Sequence, residues 1–198
     1  PKEGLPAARR RKLCRLQQMA VVSALRAMKE AGLATLPDPE RLCVSVGTGW
    51  GCLQEAIAFT ENLLSTEDGM PLPQRFTNSV HNALSSQVAM ELNAQGLNSA
   101  ITQRELSFEG ALWHSVTELS RGSGDMTIVE GADEISPYIL AAGHRWGWWN
   151  EASPRLRPLA GELAGRQRPI AGEGVAAFLL SREAAGRGKC PSICSVSL

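Results

Sequence analysis

The stretch Gly96 to Leu119, GLNSAITQRELSFEGALWHSVTEL, changes from extended to helical character within a few residues. Asn98 to Thr102 reads as a short buried strand, and an amphipathic helix with Leu112, Val116 and Leu119 on one face is predicted to begin near Glu105. A strand running straight into a helix belongs to α/β architecture. It is also a chemically distinct place, because the free N–H groups and positive dipole end of the helix start favour an anion. The residue at this junction is Glu105.

The remaining segments follow the same alternation. From Arg11 to Ala31 apolar residues recur at three- and four-residue steps, which predicts a helix capped by Gly32. RLCVSVGTGWG supplies a β-rich run, Leu42 to Val46, closed by a glycine turn at Gly47, Gly49 and Gly51; a helical stretch, Leu53 to Leu64, follows. RFTNSVHNALSSQVAMELNAQG continues as helix through Ala83, Val88 and Leu92 up to Gly96. Asp125 to Glu134 is another β-rich run, and between Ser136 and Arg168 no period is evident, so an irregular excursion is expected. The glycine-entered strand Gly172 to Glu183 and a last β-rich run, Ile193 to Val196, form a plausible hairpin. Helices and strands alternating early, with strands pairing late, predict one α/β domain over residues 1–198, built on a mixed, mostly parallel sheet of five-stranded type flanked by helices.

Composition narrows the function classes. Twenty basic and twenty acidic side chains cancel, so no global field attracts nucleic acid or an anionic membrane. The apolar runs are too short to span a bilayer, and PKEGLPAARRRK lacks the apolar core of a signal peptide; a cytoplasmic protein is expected. Five cysteines, Cys14, Cys43, Cys52, Cys190 and Cys194, read as reduced thiols. Cys190 and Cys194 form a C-x3-C pair without a second ligand pair, so no metal is expected, and nothing calls for a cofactor.

Several features carry a functional and a structural reading side by side. GTGWG resembles half of a dinucleotide loop, but its third glycine falls one residue early; the glycines serve a tight turn and close packing. His81 and His114 read as hydrogen-bonded structural histidines. Trp146, Trp148 and Trp149 are candidates for a pocket or partner surface, and equally for a cap on the core.

Taken in order, MKEAGL, SVGTGWG, FTNSVHNALSSQVAMELNAQG, DMTIVEGADE and GEGVAAFLLSRE resemble the N-terminal half of the β-ketoacyl synthases, the condensing enzymes of the thiolase fold. The match runs from about Leu13 to Ser197 and is most like a divergent, ketosynthase-like branch. The resemblance implies a thiolase-like half whose strand Asn98, Ser99, Ala100, Ile101 and Thr102 pairs subunits in a homodimer, or in a heterodimer with a catalytic ketosynthase. Acyl carrier protein is a further implied partner.

Two departures shape the functional expectation. Nine residues on from the glycine before the nucleophile strand, active members carry a cysteine that accepts the acyl chain; the same count from Gly96 reaches Glu105. A carboxylate cannot form the thioester that condensation needs. The family's two histidine donors come from its C-terminal half, and His81, His114 and His144 match neither motif. The family's opening strand is also not represented in PKEGLPAARRRK, which points to a fragment or to a lost or displaced first strand. The resemblance therefore implies a non-catalytic partner, comparable to a chain-length factor in fatty acid, polyketide or aryl-polyene synthesis. The alternatives are an acyl-thioester decarboxylase or acyltransferase using Glu105, and an unrelated binding module using the tryptophan loop. At Glu105 itself an exposed first-turn carboxylate is the expectation.

Overall fold

The computed structural model describes residues 5–33, 35, 37–65, 72–148, 171–183 and 193. Contacts divide the chain into two compact units, residues 1–134 with 174–198, and residues 135–173. The first unit holds the sheet. Its central strand β1, Leu42–Gly47, is buried at every position, as a strand covered on both faces must be. It pairs in parallel with β2, Asn98–Ile101, on one side and with β3, Met126–Asp133, on the other; β4, Gly174–Ser181, then runs antiparallel to β3. The order β2-β1-β3-β4 gives a mixed α/β sheet that is parallel except at β4, and the described residues contribute four strands to it.

Side-chain alternation gives each face its own packing. Val44, Val46, Ile128 and Ala132 cluster with Leu16, Ala20, Val21 and Ala24 of α2, Arg15–Glu30, and with Leu84 and Val88 of α5, Ala83–Leu92. Fully burying side chains of this kind contributes about 1.5–3 kcal/mol each. The other face meets α6, Ser107–Arg121. Here the fit depends on small residues: a Cβ on Gly47 would fall on the backbone carbonyl of Ser107, and one on Gly131 would come within 3.1 Å of Phe108.

Local differences from the sequence expectations have physical causes. The first predicted helix starts four residues late: α2 begins after Cys14, whose N–H donates to Gln17 Oε1 at 3.1 Å, and a separate short helix, α1, Ala7–Arg10, lies ahead of the predicted span. The glycine turn leads into α3, Leu53–Ser65. The long helix expected up to Gly96 is two, α4, Pro73–Ser79, and α5, separated at Val80–Asn82. On α6 the buried face is Ser107, Gly110, Ala111, Ser115 and Leu119, whereas Leu112 and Val116 are half-buried. The close approach of glycines on the sheet selects small side chains there, which the spacing of large apolar residues does not reveal.

The second unit overturns the irregular excursion over part of its length. Pro137–Arg145 is a helix, α7, with proline in its first turn and Ser136 Oγ accepting from the Ile139 N–H at 3.1 Å. Ser-Pro before an apolar run was the available signal. The Trp146 and Trp148 rings meet at 4.8 Å between centroids in a tilted arrangement, 46° between planes, both exposed. Trp149, Cys190 and Cys194 lie outside the described residues, as does the final run except Ile193. Among the described residues, no helix is long and apolar enough to cross a membrane.

Candidate functional site

At the β2–α6 junction the chain makes an extra turn. Arg104 takes a left-handed conformation, φ 52°, and Arg104–Leu106 form a 3-10 turn before α6 opens at Ser107. Ser107 Oγ closes this turn, donating to the Arg104 carbonyl at 2.6 Å and accepting from the Gln103 N–H at 2.9 Å. Glu105 thus sits one turn ahead of the α-helix proper, exposed, with no hydrogen-bond partner among the described residues. The expected exposed carboxylate is found, though the helix starts later than the sequence indicated.

The strand leading to it is not buried. Asn98 is exposed and Ser99, Ala100 and Ile101 are half-buried, because β2 pairs with β1 alone and forms an outer edge of the described sheet. Thr102 lies beyond the strand and is exposed. The ladder fixes which backbone groups remain free. The Leu97 and Ile101 carbonyls accept from the Val44 and Thr48 N–H groups at 2.9 and 3.0 Å, so the groups of Asn98 and Ala100 point outward. Behind the strand Ser99 Oγ donates to Ser45 Oγ at 2.9 Å, and His114 Nδ1 lies 3.4 Å from Ser99 Oγ. This agrees with the structural reading of His114.

The glycine turn after β1 is organised by a carboxylate. Asp133 at the end of β3 accepts from the Thr48 hydroxyl at 3.1 Å and from the Gly49 and Trp50 N–H groups at 3.0 and 3.2 Å. The Gly51 N–H donates to Thr48 Oγ1 at 2.8 Å, and the turn continues into Cys52, which is buried. Gly51 has φ 61°, and a Cβ there would lie 2.7 Å from His81 Nδ1, so His81 packs against the turn. Asp133 escaped the sequence reading, although its place beside the glycine turn follows once β1 and β3 are paired.

No described thiol reaches Glu105's position as a substitute. Cys43 is buried in β1, where a Cβ on Gly96 would come within 2.9 Å of its sulfur, and Cys14 and Cys52 lie together before α2 and α3 with sulfurs 3.6 Å apart. Among the described residues, no group of three or more His, Cys, Asp or Glu side chains is arranged to hold a metal ion. Two acids are buried among the described residues, Glu130 and Glu134; Glu130 in β3 is fully buried, neither of its carboxylate oxygens has a hydrogen-bond partner among the described residues, and desolvation pushes its pKa well above the carboxylate range.

Residues 3–185 match the family model described as beta-ketoacyl synthase, N-terminal domain. No curated protein matches the chain in sequence. Among solved structures the chain is similar to a beta-ketoacyl synthase from Burkholderia phymatum STM815, with TM-score 0.72 and 19% identity over 91% of this chain and 45% of that one. It is also similar to the ishigamide ketosynthase/chain length factor, with TM-score 0.66 and 21% identity over 89% and 46% of the two chains. A third is a type II polyketide acyl-carrier protein in complex with its ketosynthase bound to the hexaketide, with TM-score 0.70 and 18% identity over 91% and 51%. The chain spans about half the length of the solved structures it matches.

Proposed function

We propose, because the chain belongs to the β-ketoacyl synthase N-terminal domain family, that it acts as a non-catalytic, ketosynthase-like partner of an active synthase, in the manner of a chain-length factor. The observation that carries this reading is Glu105. At the place where the family holds its nucleophilic cysteine stands an exposed carboxylate with no partner among the described residues. It cannot form the thioester that condensation needs.

The edge strand supports the assembly half of the proposal. Asn98 and Ala100 offer backbone groups that are unpaired among the described residues, beside Ser99, Ile101 and Thr102, and such an edge invites a second strand. That strand comes from a second copy or from a cysteine-bearing ketosynthase. The likeness to structures of a ketosynthase/chain length factor and of a ketosynthase with its acyl-carrier protein favours a pathway of fatty acid, polyketide or aryl-polyene type, with acyl carrier protein as a second partner. The test is co-purification and sizing with a cysteine-bearing ketosynthase encoded beside it. A stable complex that changes the chain length of the synthase's product is expected; a protein that stays monomeric with that synthase and its carrier overturns the reading.

A further inference from the structure

The glycine turn and the link from α1 to α2 converge on a pair of sulfurs that the proposed assembly role leaves unused. Cys14 ends the link and is the residue from which α2 starts; the Gln18 N–H donates to its carbonyl at 3.0 Å. Cys52 ends the glycine turn and stands in the same relation to α3, its carbonyl accepting from the Ala56 N–H at 3.1 Å. Two helix N-termini therefore meet at two thiols whose sulfurs are 3.6 Å apart. The pair differs in access: Cys14 is half-buried and Cys52 is only 2% exposed.

We propose that Cys14 and Cys52 form a peroxide-reactive dithiol, with Cys14 the attacking thiol and Cys52 the resolving one, closing a disulfide that ties the start of α2 to the glycine turn. The geometry assigns the roles, because among the described cysteines Cys14 alone is not fully buried and Cys52 is the one whose sulfur stands beside it to resolve it. Thiolate character follows the same order. The S–H of Cys52, and the Gln17 backbone N–H at the start of α2, lower the pKa of Cys14, while Cys52 ionises last, since a second anion would lie beside the first in a buried place.

The step balances with hydrogen peroxide as oxidant. The Cys14 thiolate attacks one peroxide oxygen, the O–O bond breaks, and hydroxide leaves to give a sulfenic acid. Cys52 sulfur then attacks the Cys14 sulfur; the sulfenic hydroxyl leaves with the Cys52 proton as water, and the two thiols have supplied the two electrons that reduce the peroxide. Cys43 is the internal contrast. It is equally a free thiol, but it is buried within β1, and no sulfur pairs with it among the described residues.

The full chain is treated with stoichiometric hydrogen peroxide, unreacted thiols are alkylated, and the protein is digested without reduction by trypsin and chymotrypsin, which cuts after Trp50 and so separates Cys43 from Cys52. The expected result is a Cys14–Cys52 linked peptide lighter by two hydrogens than the reduced pair, and a melting temperature higher by about 5–10 °C that reverts on reduction. Cys52→Ser should leave a Cys14 sulfenic acid that dimedone captures, and Cys14→Ser should leave Cys52 reduced. The proposal is overturned when both thiols stay alkylatable after peroxide, when Cys14 links to a different cysteine, or when dimedone captures Cys52 in place of Cys14.

Discussion

The Asp133 carboxylate grips the Gly49 amide with both oxygens, Oδ1 at 3.0 Å and Oδ2 at 3.1 Å from its nitrogen, while Oδ1 also accepts from Thr48 and Trp50. The two residues are 84 positions apart, and this contact joins the end of β3 to the turn that closes β1. Hydrogen bonds to an ionised acceptor are about twice as strong as neutral ones, and a removed partner leaves the donors unsatisfied.

Asp133→Ala should therefore cost about 2–4 kcal/mol in urea unfolding, and Asp133→Asn about half of that, since an amide retains one acceptor. An Asp133→Ala protein unfolding at the parent denaturant midpoint would show that the turn holds without it.

Glu130 predicts a dependence of stability on pH. Its folded pKa is raised by burial, so the folded state holds a proton that the unfolded state releases near its ordinary pKa. The group's contribution is fully present below the unfolded pKa and is lost as pH rises from there through the folded value. Glu130→Met should raise stability at pH 8 by about 1–3 kcal/mol and have little effect at pH 4, measured by denaturant unfolding across pH. An equal effect at both pH values would place the cause in packing and not in the proton.

The same two residues mark where the sequence was legible. Continuous apolar character made β1 and β3 readable, and the glycine turn announced the strand end, so the α/β class and the order of elements followed from local pattern. Glu130 sits in the middle of that readable run without breaking it. What sequence did not expose depends on pairing across distance: Asp133 opposite Gly49, Cys14 beside Cys52, and the small-residue face of α6 fitted to Gly47 and Gly131. β2 reads as buried from composition because Ala100 and Ile101 are apolar, and only the strand order makes it an edge. Glu105 was located by counting from Gly96, yet the left-handed turn at Arg104 that lifts it ahead of α6 has no signature in residue type.

For Glu105 the expectation is indifference. An exposed carboxylate without a partner among the described residues contributes within about 0.5 kcal/mol to stability, and Glu105→Gln should leave the melting temperature and any chain-length effect on a partner synthase unchanged. Thioester turnover that the parent protein performs alone, and that Glu105→Gln abolishes, would instead assign it a catalytic role.

The edge strand offers the sharpest separation of assembly from folding. The outward N–H of Ala100 makes no bond to β1, because the inward positions are Ser99 and Ile101 in the observed register. Proline at an edge position removes only that outward donor, and its fixed φ lies within the range that edge strands tolerate. Ala100→Pro should keep the circular dichroism spectrum and a melting temperature within a few degrees of the parent while abolishing self-association or partner capture in sizing. Asn98→Lys, which places a charge on the same edge, should weaken association without affecting the fold. Both variants assembling like the parent would mean that subunits meet through a different surface, and the strand from Asn98 to Ile101 would then be an ordinary solvent-facing edge.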